Sequence, residues 1–418
     1  MFYNQNTCSM NAFEKLEMLG AQMGLEPAEE SPAASNPHAL AACGHTPAQL
    51  AQAFGGAPDT SVSIKDKKKN SLGIHNAIMP GGKRIALLKT MLTSVCERNC
   101  NYCPFRKGRD FRRATFKPDE MASAFTQLHQ GKAVEGLFLS SGVAGGGPAT
   151  QDRLIDTIDI LRRKYKYRGY VHLKVMPGTE RDQVHRAMQL ADRLSVNLEA
   201  PNQTALTRLA PMKILMEELL QPLKWAAEIK AAGPPRGSVT GRWPSLVTQF
   251  VVGAAGESDV DLLGMTQSLN KQIGLQRAYF SAFNPVRDTP FENMAAENPW
   301  REHRLYQASF LLRDYGFEFE DLPFGATGNL PIETDPKVGW AKQNLTETPV
   351  DVNKADRRTL LKVPGIGPKG VEAILRERGR GTLRELGDLR ALGVLAQRAA
   401  PYILLAGRRP VAQMSLGI

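Results

Sequence analysis

Between residues 84 and 316, short runs of Val, Ile, Leu and Phe recur, each followed by a longer amphipathic segment. This alternation restricts the chain to repeated strand-helix units around a parallel sheet. Six runs stand out: IALLK (85–89), VEGLFLSS (134–141), YVHLKV (170–175), RLSVNLEA (193–200), VTQFVVG (247–253) and RAYFSAF (277–283). Helical patterns follow, as at 119–130, 151–164 and 180–191.

Six units predict an α/β fold, a partial (β/α)6 TIM-like barrel, in which reactive groups lie in the loops after the strands. The chain has 418 residues, more than one typical domain needs, and its flanks read differently. Residues 1–70 contain one short helical pattern (Phe13, Leu16, Leu19), an Ala, Pro and Ser-rich stretch and the charge run KDKKKN at 65–70, together a loosely ordered arm. The barrel is expected over 71–325, a connector over 326–347 and a small, basic, all-α domain over 348–408.

The net charge of +11 points to an anionic partner, and residues 341–418 hold fourteen Lys and Arg against seven Asp and Glu. No apolar run reaches the roughly 20 residues that cross a bilayer, and the opening MFYNQNTCSMNAFEKLEM lacks a signal peptide's basic and apolar regions. A cytoplasmic protein with no membrane partner is expected.

Three of the five cysteines fall within eight residues, TSVCERNCNYCPFR, in the loop after the first of the six strands. Such crowding suits a metal site better than a secreted disulfide framework. Cys8 and Cys43 sit in weakly patterned sequence and read as bystanders. A 4Fe-4S cube takes four ligands, so Cys96, Cys100 and Cys103 alone leave one iron open to an exogenous ligand. The alternative is a zinc site of three Cys and one His, although the next histidine is the distant His129.

This CxxxCxxC, with aromatic Tyr102 before its last cysteine, resembles the radical S-adenosylmethionine (SAM) superfamily over the strand-helix region. The resemblance implies that SAM chelates the open iron and that one electron, from a donor such as a flavodoxin or ferredoxin, cleaves it to methionine and a 5'-deoxyadenosyl radical. It also implies cofactor contacts at Ser140, Ser141 and Gly142 in a Gly-rich stretch, at Glu199 after the fourth strand, and at Gly253 in VVGAAGESD. Lys174 on the third strand is placed to meet the cofactor's carboxylate. The plainer alternatives are a turn for the glycines, an ion pair with a nearby Arg for Glu199 and ordinary acid pairing for Lys174. Arg106, Lys107, Arg109, Arg112, Arg113 and Lys117 form a basic run that either draws phosphates toward the barrel mouth or is simply solvated.

DVNKADRRTLLKVPGIGPKGVEAILRER (351–378) reads as two short helices around the hairpin VPGIGPK. It resembles the helix-hairpin-helix family, which implies that hairpin amides hold a DNA phosphate, with Gly365, Gly367 and Lys369 carrying the match. DLRALGVLAQRAAPYIL (388–404) resembles a weaker copy, and a protein-docking or purely structural helix pair is the alternative. Together the motifs resemble a bacterial family of DNA modification or repair radical SAM proteins. The expected function is hydrogen abstraction from DNA; the alternatives are a radical enzyme for RNA or a small molecule, and a non-catalytic nucleic-acid-binding iron-sulfur protein. No second cysteine cluster is visible, which argues against sulfur insertion.

Overall fold

The computed structural model describes residues 10–23, 72–78 and 84–410. Cys8, Cys43 and most of the predicted arm lie outside these residues.

Helix α1 (Ala12–Met23) begins at Asn11, whose side-chain oxygen accepts from the amides of Phe13 and Glu14 at 3.0 Å each. Leu16 and Leu19 are fully buried and Lys15 pairs with Glu120 at 2.7 Å, so this part of the arm is packed rather than loose.

The sheet has seven strands in sequential order. β1 (Ile74–Ile78) runs antiparallel to β2 (Arg84–Met91), an edge strand that sequence reading missed because IHNAI is only half apolar. β2 is then joined in parallel by β3 (Gly136–Ser140), β4 (Tyr170–Lys174), β5 (Arg193–Ser195), β6 (Ser245–Val252) and β7 (Arg277–Ala282). These are the six predicted runs, five of them within two residues at each end, whereas β5 stops five residues before the predicted run 193–200 does.

The crossovers carry α2 (Pro118–Gln130), α3 (Gly147–Arg163), α4 (Arg181–Leu190), α5 (Gln203–Leu209), α6 (Gln221–Ala231) and α7 (Asp259–Ile273). Each of the first three hides an apolar stripe, such as Met121, Ala122 and Phe125 on α2, as a helix laid on a sheet must. A six-residue π-helix (Leu215–Leu220) leads into α6. The alternation thus builds a sheet whose last six strands are all parallel. Among the described residues no helix is long and apolar enough to cross a membrane.

The chain divides into two compact units: residues up to Glu257 with Ser268–Pro299, and Ser258–Gln267 with residues from Trp300 onward. The expected boundary near 325 therefore falls earlier. In the second unit α8 (Pro299–Asp314) supplies Arg301, which pairs at 2.8 Å with the fully buried Asp259, and the Leu330 amide donates to the same carboxylate at 2.8 Å. Arg304 donates to the Ile332 carbonyl at 2.8 Å, so the predicted connector is pinned along its length. α9 (Pro336–Asn344), capped by Asp335, also lies where a connector was expected.

Beyond it come β8 (Val350–Asp351), α10 (Arg357–Lys362), α11 (Pro368–Glu377), α12 (Leu386–Ala391), α13 (Ala396–Ala399) and β9 (Ile403–Leu404), with β8 and β9 paired in parallel. Leu360, Leu361, Val363, Ile366, Val371 and Ile374 join Leu389 and Ala396 in one buried cluster, so helices α10 to α13 share a core.

Candidate active site

The cysteine loop leaves β2 with few ladder bonds of its own, and other groups fix it in place. The Ser94 amide bonds to Ala114 O at 3.0 Å, and the Asn101 amide to Leu209 O at 2.7 Å. The Arg113 guanidinium donates to the carbonyls of Ser94 (2.6 Å), Phe105 (3.0 Å), Arg106 (2.8 Å) and Arg109 (3.3 Å). Arg106 reaches Cys100 O at 3.2 Å, and Arg109 reaches Pro104 O at 2.9 Å. The planar fork of arginine suits this carbonyl-bracing task. Three members of the basic run therefore clamp the loop, a role that neither expectation for them included.

The Gly-rich stretch after β3 serves the same loop. The Glu97 carboxylate accepts from the amides of Gly145 and Gly146 at 3.1 Å each, and the Glu97 amide donates to Val143 O at 2.8 Å. A Cβ on Gly142 would stand 2.3 Å from Val95 O and 3.1 Å from the Cys96 Cβ. Glycine is required there because the two loops touch.

Cys96, Cys100 and Cys103, Cys100 buried and the others partly exposed, all line one cavity of about 510 Å³ at the carboxyl ends of the strands. Tyr102, Ser140, Ser141, Gly142, Lys174 and Glu199 share that lining, so most of the expected cofactor residues are brought together. Gly253 does not line it. Its φ is +96° and its amide is bonded to the Glu257 carboxylate, while a Cβ there would meet Glu297.

Glu199, also at positive φ (64°), is held by β6 through two backbone bonds of 2.9 Å, with Gln249 O and Val251 N. Its carboxylate pairs at 2.9 Å with Lys213, both side chains being buried. An ion pair was one reading of Glu199, but its partner is a lysine and not an arginine. Sequence reading missed Lys213, because the lone lysine in LAPMKILM carries no motif. Burial disfavours the Lys213 charge, but Glu199 more than offsets it and raises the ammonium's affinity for its proton. Burial pushes Cys100 up, as does its neighbour Glu199, against the pull of Lys213. Burial also raises Tyr102, whose hydroxyl is hydrogen-bonded to Glu199.

The set fits an iron-sulfur cluster with an open site. Three thiols converge on the cavity, and among the described residues its lining holds no fourth. A single structural zinc would need all three sulfurs within about 2.3 Å of one ion. A cluster instead gives each thiolate its own iron. Across the cavity, the buried Oδ1 of Asn197 has no hydrogen-bond partner, an acceptor left for a ligand.

In the second unit, Gly365 has φ +83° and its missing Cβ would stand 2.5 Å from Leu395 O. Its carbonyl accepts from Leu395 N at 3.1 Å, so it joins the two hairpins. Gly367 is the extended cap residue of α11 with no side-chain cap, and Lys369 lies in that helix's first turn. Lys337, also missed from sequence, donates to Ile366 O at 2.7 Å and braces the hairpin.

No curated protein sequence matches the chain. Among solved structures, the FeFe-hydrogenase maturase HydG from Carboxydothermus hydrogenoformans is 14% identical, over 54% of this chain and 51% of that one, with a TM-score of 0.43. Methylornithine synthase is 10% identical, over 70% and 76%, at 0.44. Coproporphyrinogen III oxidase from Escherichia coli, described as a radical SAM enzyme, is 14% identical, over 56% and 54%, at 0.37. The chain spans about half the length of the first maturase structures it matches, 51% and 48%, and at these scores the likenesses do not carry the assignment. The model of the Radical SAM superfamily matches residues 90–266, which contain the cysteine loop, the Gly-rich stretch, Glu199 and Lys213. Residues 90–266 of this chain form a Radical SAM superfamily domain.

Proposed function

We propose that the chain is a radical SAM enzyme that abstracts hydrogen from a nucleotide of DNA, with the α10–α11 hairpin holding backbone phosphate. The observation that carries the enzymatic part is the convergence of three thiols, with no fourth among the described residues, on one cavity at the strand ends. Cys96, Cys100 and Cys103 would hold a 4Fe-4S cluster, leaving one iron for SAM. Bound there, the pair supplies one-electron cleavage of a C–S bond and a 5'-deoxyadenosyl radical.

This chain's residues do the rest. Asn197 and Glu199 offer acceptors to hydroxyl or amino groups, and Lys174 and Lys213 bring positive charge to the cavity wall. Phe105, Val175, Met176 and Phe283 give it apolar surface that limits water.

The DNA part rests on the charge of residues 341–418 alone, fourteen cations against seven anions, and on the uncapped start of α11. First-turn amides of a helix lack internal partners and favour an anion, and such contacts position a strand without reading its sequence. A base within a duplex would be flipped or already single-stranded before reaction.

The test is anaerobic incubation of the reduced, reconstituted protein with SAM and, in parallel, single-stranded DNA or RNA, followed by mass analysis of the nucleosides. A modified nucleoside appearing with 5'-deoxyadenosine is expected. Unchanged DNA alongside modified RNA would transfer the proposal to the RNA alternative.

A further inference from the structure

The stretch between α5 and α6 alternates in burial. Lys213 and Leu215 are buried, whereas Met212, Ile214 and Met216 are 46%, 51% and 50% exposed. Ile214 is extended (φ −112°, ψ 118°), so its neighbours Lys213 and Leu215 share the inner side, where Lys213 meets Glu199, and Ile214 faces the other way. One exposed apolar side chain is ordinary, but three on five residues form a patch.

The patch belongs to the cysteine loop's immediate surroundings. Arg98, between Cys96 and Cys100, donates to Met212 O at 2.7 Å and pairs with Glu218 at 2.6 Å. Asn101, between Cys100 and Cys103, donates from its amide to Leu209 O and from its side chain to Arg208 O at 2.8 Å. The exposed Lys107, whose amide is bonded to Arg98 O, and the exposed Arg208 add positive charge beside it; Glu217 is also exposed.

We propose that Met212, Ile214 and Met216, with Lys107 and Arg208 at the rim, form the docking surface for a small acidic electron-transfer protein. The inference rests on the reading of the three cysteines as cluster ligands. In the step it serves, the donor loses one electron and the cluster gains one; no bond or proton moves. Four features fit this occupant. Redox encounters are brief and bury little surface. Methionine adapts to a transient partner, and a basic rim steers an acidic one. Direct hydrogen bonds join the patch to residues between the cysteines, which keeps the path short.

The test uses the full reconstituted chain, its M212E/I214E/M216E variant and a K107E variant, with a flavodoxin as probe. Flavodoxin affinity is titrated at low and high salt, and cluster reduction is followed by absorbance with flavodoxin hydroquinone or with dithionite, which needs no docking. The triple variant is expected to bind at least tenfold more weakly and to be reduced correspondingly more slowly by flavodoxin, with dithionite reduction unchanged. K107E should weaken binding mainly at low salt.

Wild-type behaviour of the triple variant overturns the proposal, as does equal slowing with dithionite. A wild-type dimer that the triple variant converts to monomer also overturns it, assigning the face to a second copy. A wild-type chain that takes up no cluster removes the cluster reading by its iron content, and the flavodoxin titration then still decides the patch.

Discussion

Arg113 offers a quantitative test of how the cysteine loop is held. Its guanidinium serves four carbonyls, of Ser94, Phe105, Arg106 and Arg109, and stacks 4.2 Å from the Phe111 ring centroid. Hydrogen bonds from a charged donor are worth about 1.5–3 kcal/mol each, but bonds sharing one donor group are not additive. Two of the four, at 2.6 and 2.8 Å, have the lengths of strong bonds. Replacing Arg113 with Met should therefore raise the free energy of the closed loop by roughly 3–5 kcal/mol, about two such charge-assisted bonds. At 1.4 kcal/mol per factor of ten, opening would increase by about a hundredfold or more.

The assay is hydrogen exchange over residues 94–113, alongside iron bound per chain after reconstitution. Arg113→Met should lose protection in the loop and much of its iron while exchange in β4 and α3 stays unchanged. Arg113→Lys should fall between, because one ammonium cannot reach four carbonyls in a plane. Full iron and unchanged loop exchange in Arg113→Met would refute the reasoning.

Other outcomes follow from the same geometry. Gly142→Ala should lose cluster binding, because the Val95 carbonyl 2.3 Å from the new methyl must move the cysteine loop; iron content checks this. Lys213→Met strands a buried carboxylate and should cost about 3–5 kcal/mol, whereas Lys213→Met with Glu199→Gln should cost less than the single change; denaturant titration of both variants decides. Burial lowers the Lys337 pKa to about 7, with Asp335 opposing and Arg398 assisting. Between about pH 7 and 10.5 the unfolded chain then holds a proton that the folded one lacks, so stability contributed here rises with pH by up to about 1.4 kcal/mol per unit. Hydrogen exchange of α10 and α11 against pH should show that slope in the wild type and its loss in Lys337→Met.

Periodicity and spacing revealed what depends on repetition. The six parallel strands are legible because each is a continuous apolar run, and the cysteines because three thiols in eight residues have few other uses. What stayed hidden depends on contacts made far along the chain. Lys213 gains meaning only opposite Glu199, fourteen residues away, and Asp259 only when Arg301 folds back to it across forty-two. The basic run looked like a solvated or phosphate-seeking stretch, since nothing local shows that Arg113 spends its donors on loop carbonyls. Gly365 matched a binding motif, yet its carbonyl and missing Cβ are used to join the hairpins. The connector failed as a prediction because Gly and Pro mark turns equally well whether or not buried ion pairs pin them.

The central claim is that Cys96, Cys100 and Cys103 together hold a cluster that cleaves SAM. Its most direct test is 5'-deoxyadenosine formation by the anaerobic, reconstituted and reduced protein, beside Cys96→Ser, Cys100→Ser and Cys103→Ser variants. Wild-type protein should yield 5'-deoxyadenosine and methionine in equal amounts, and each variant none. A wild-type protein whose cluster is spectroscopically reduced yet gives no product, or variants that match it, would contradict the account.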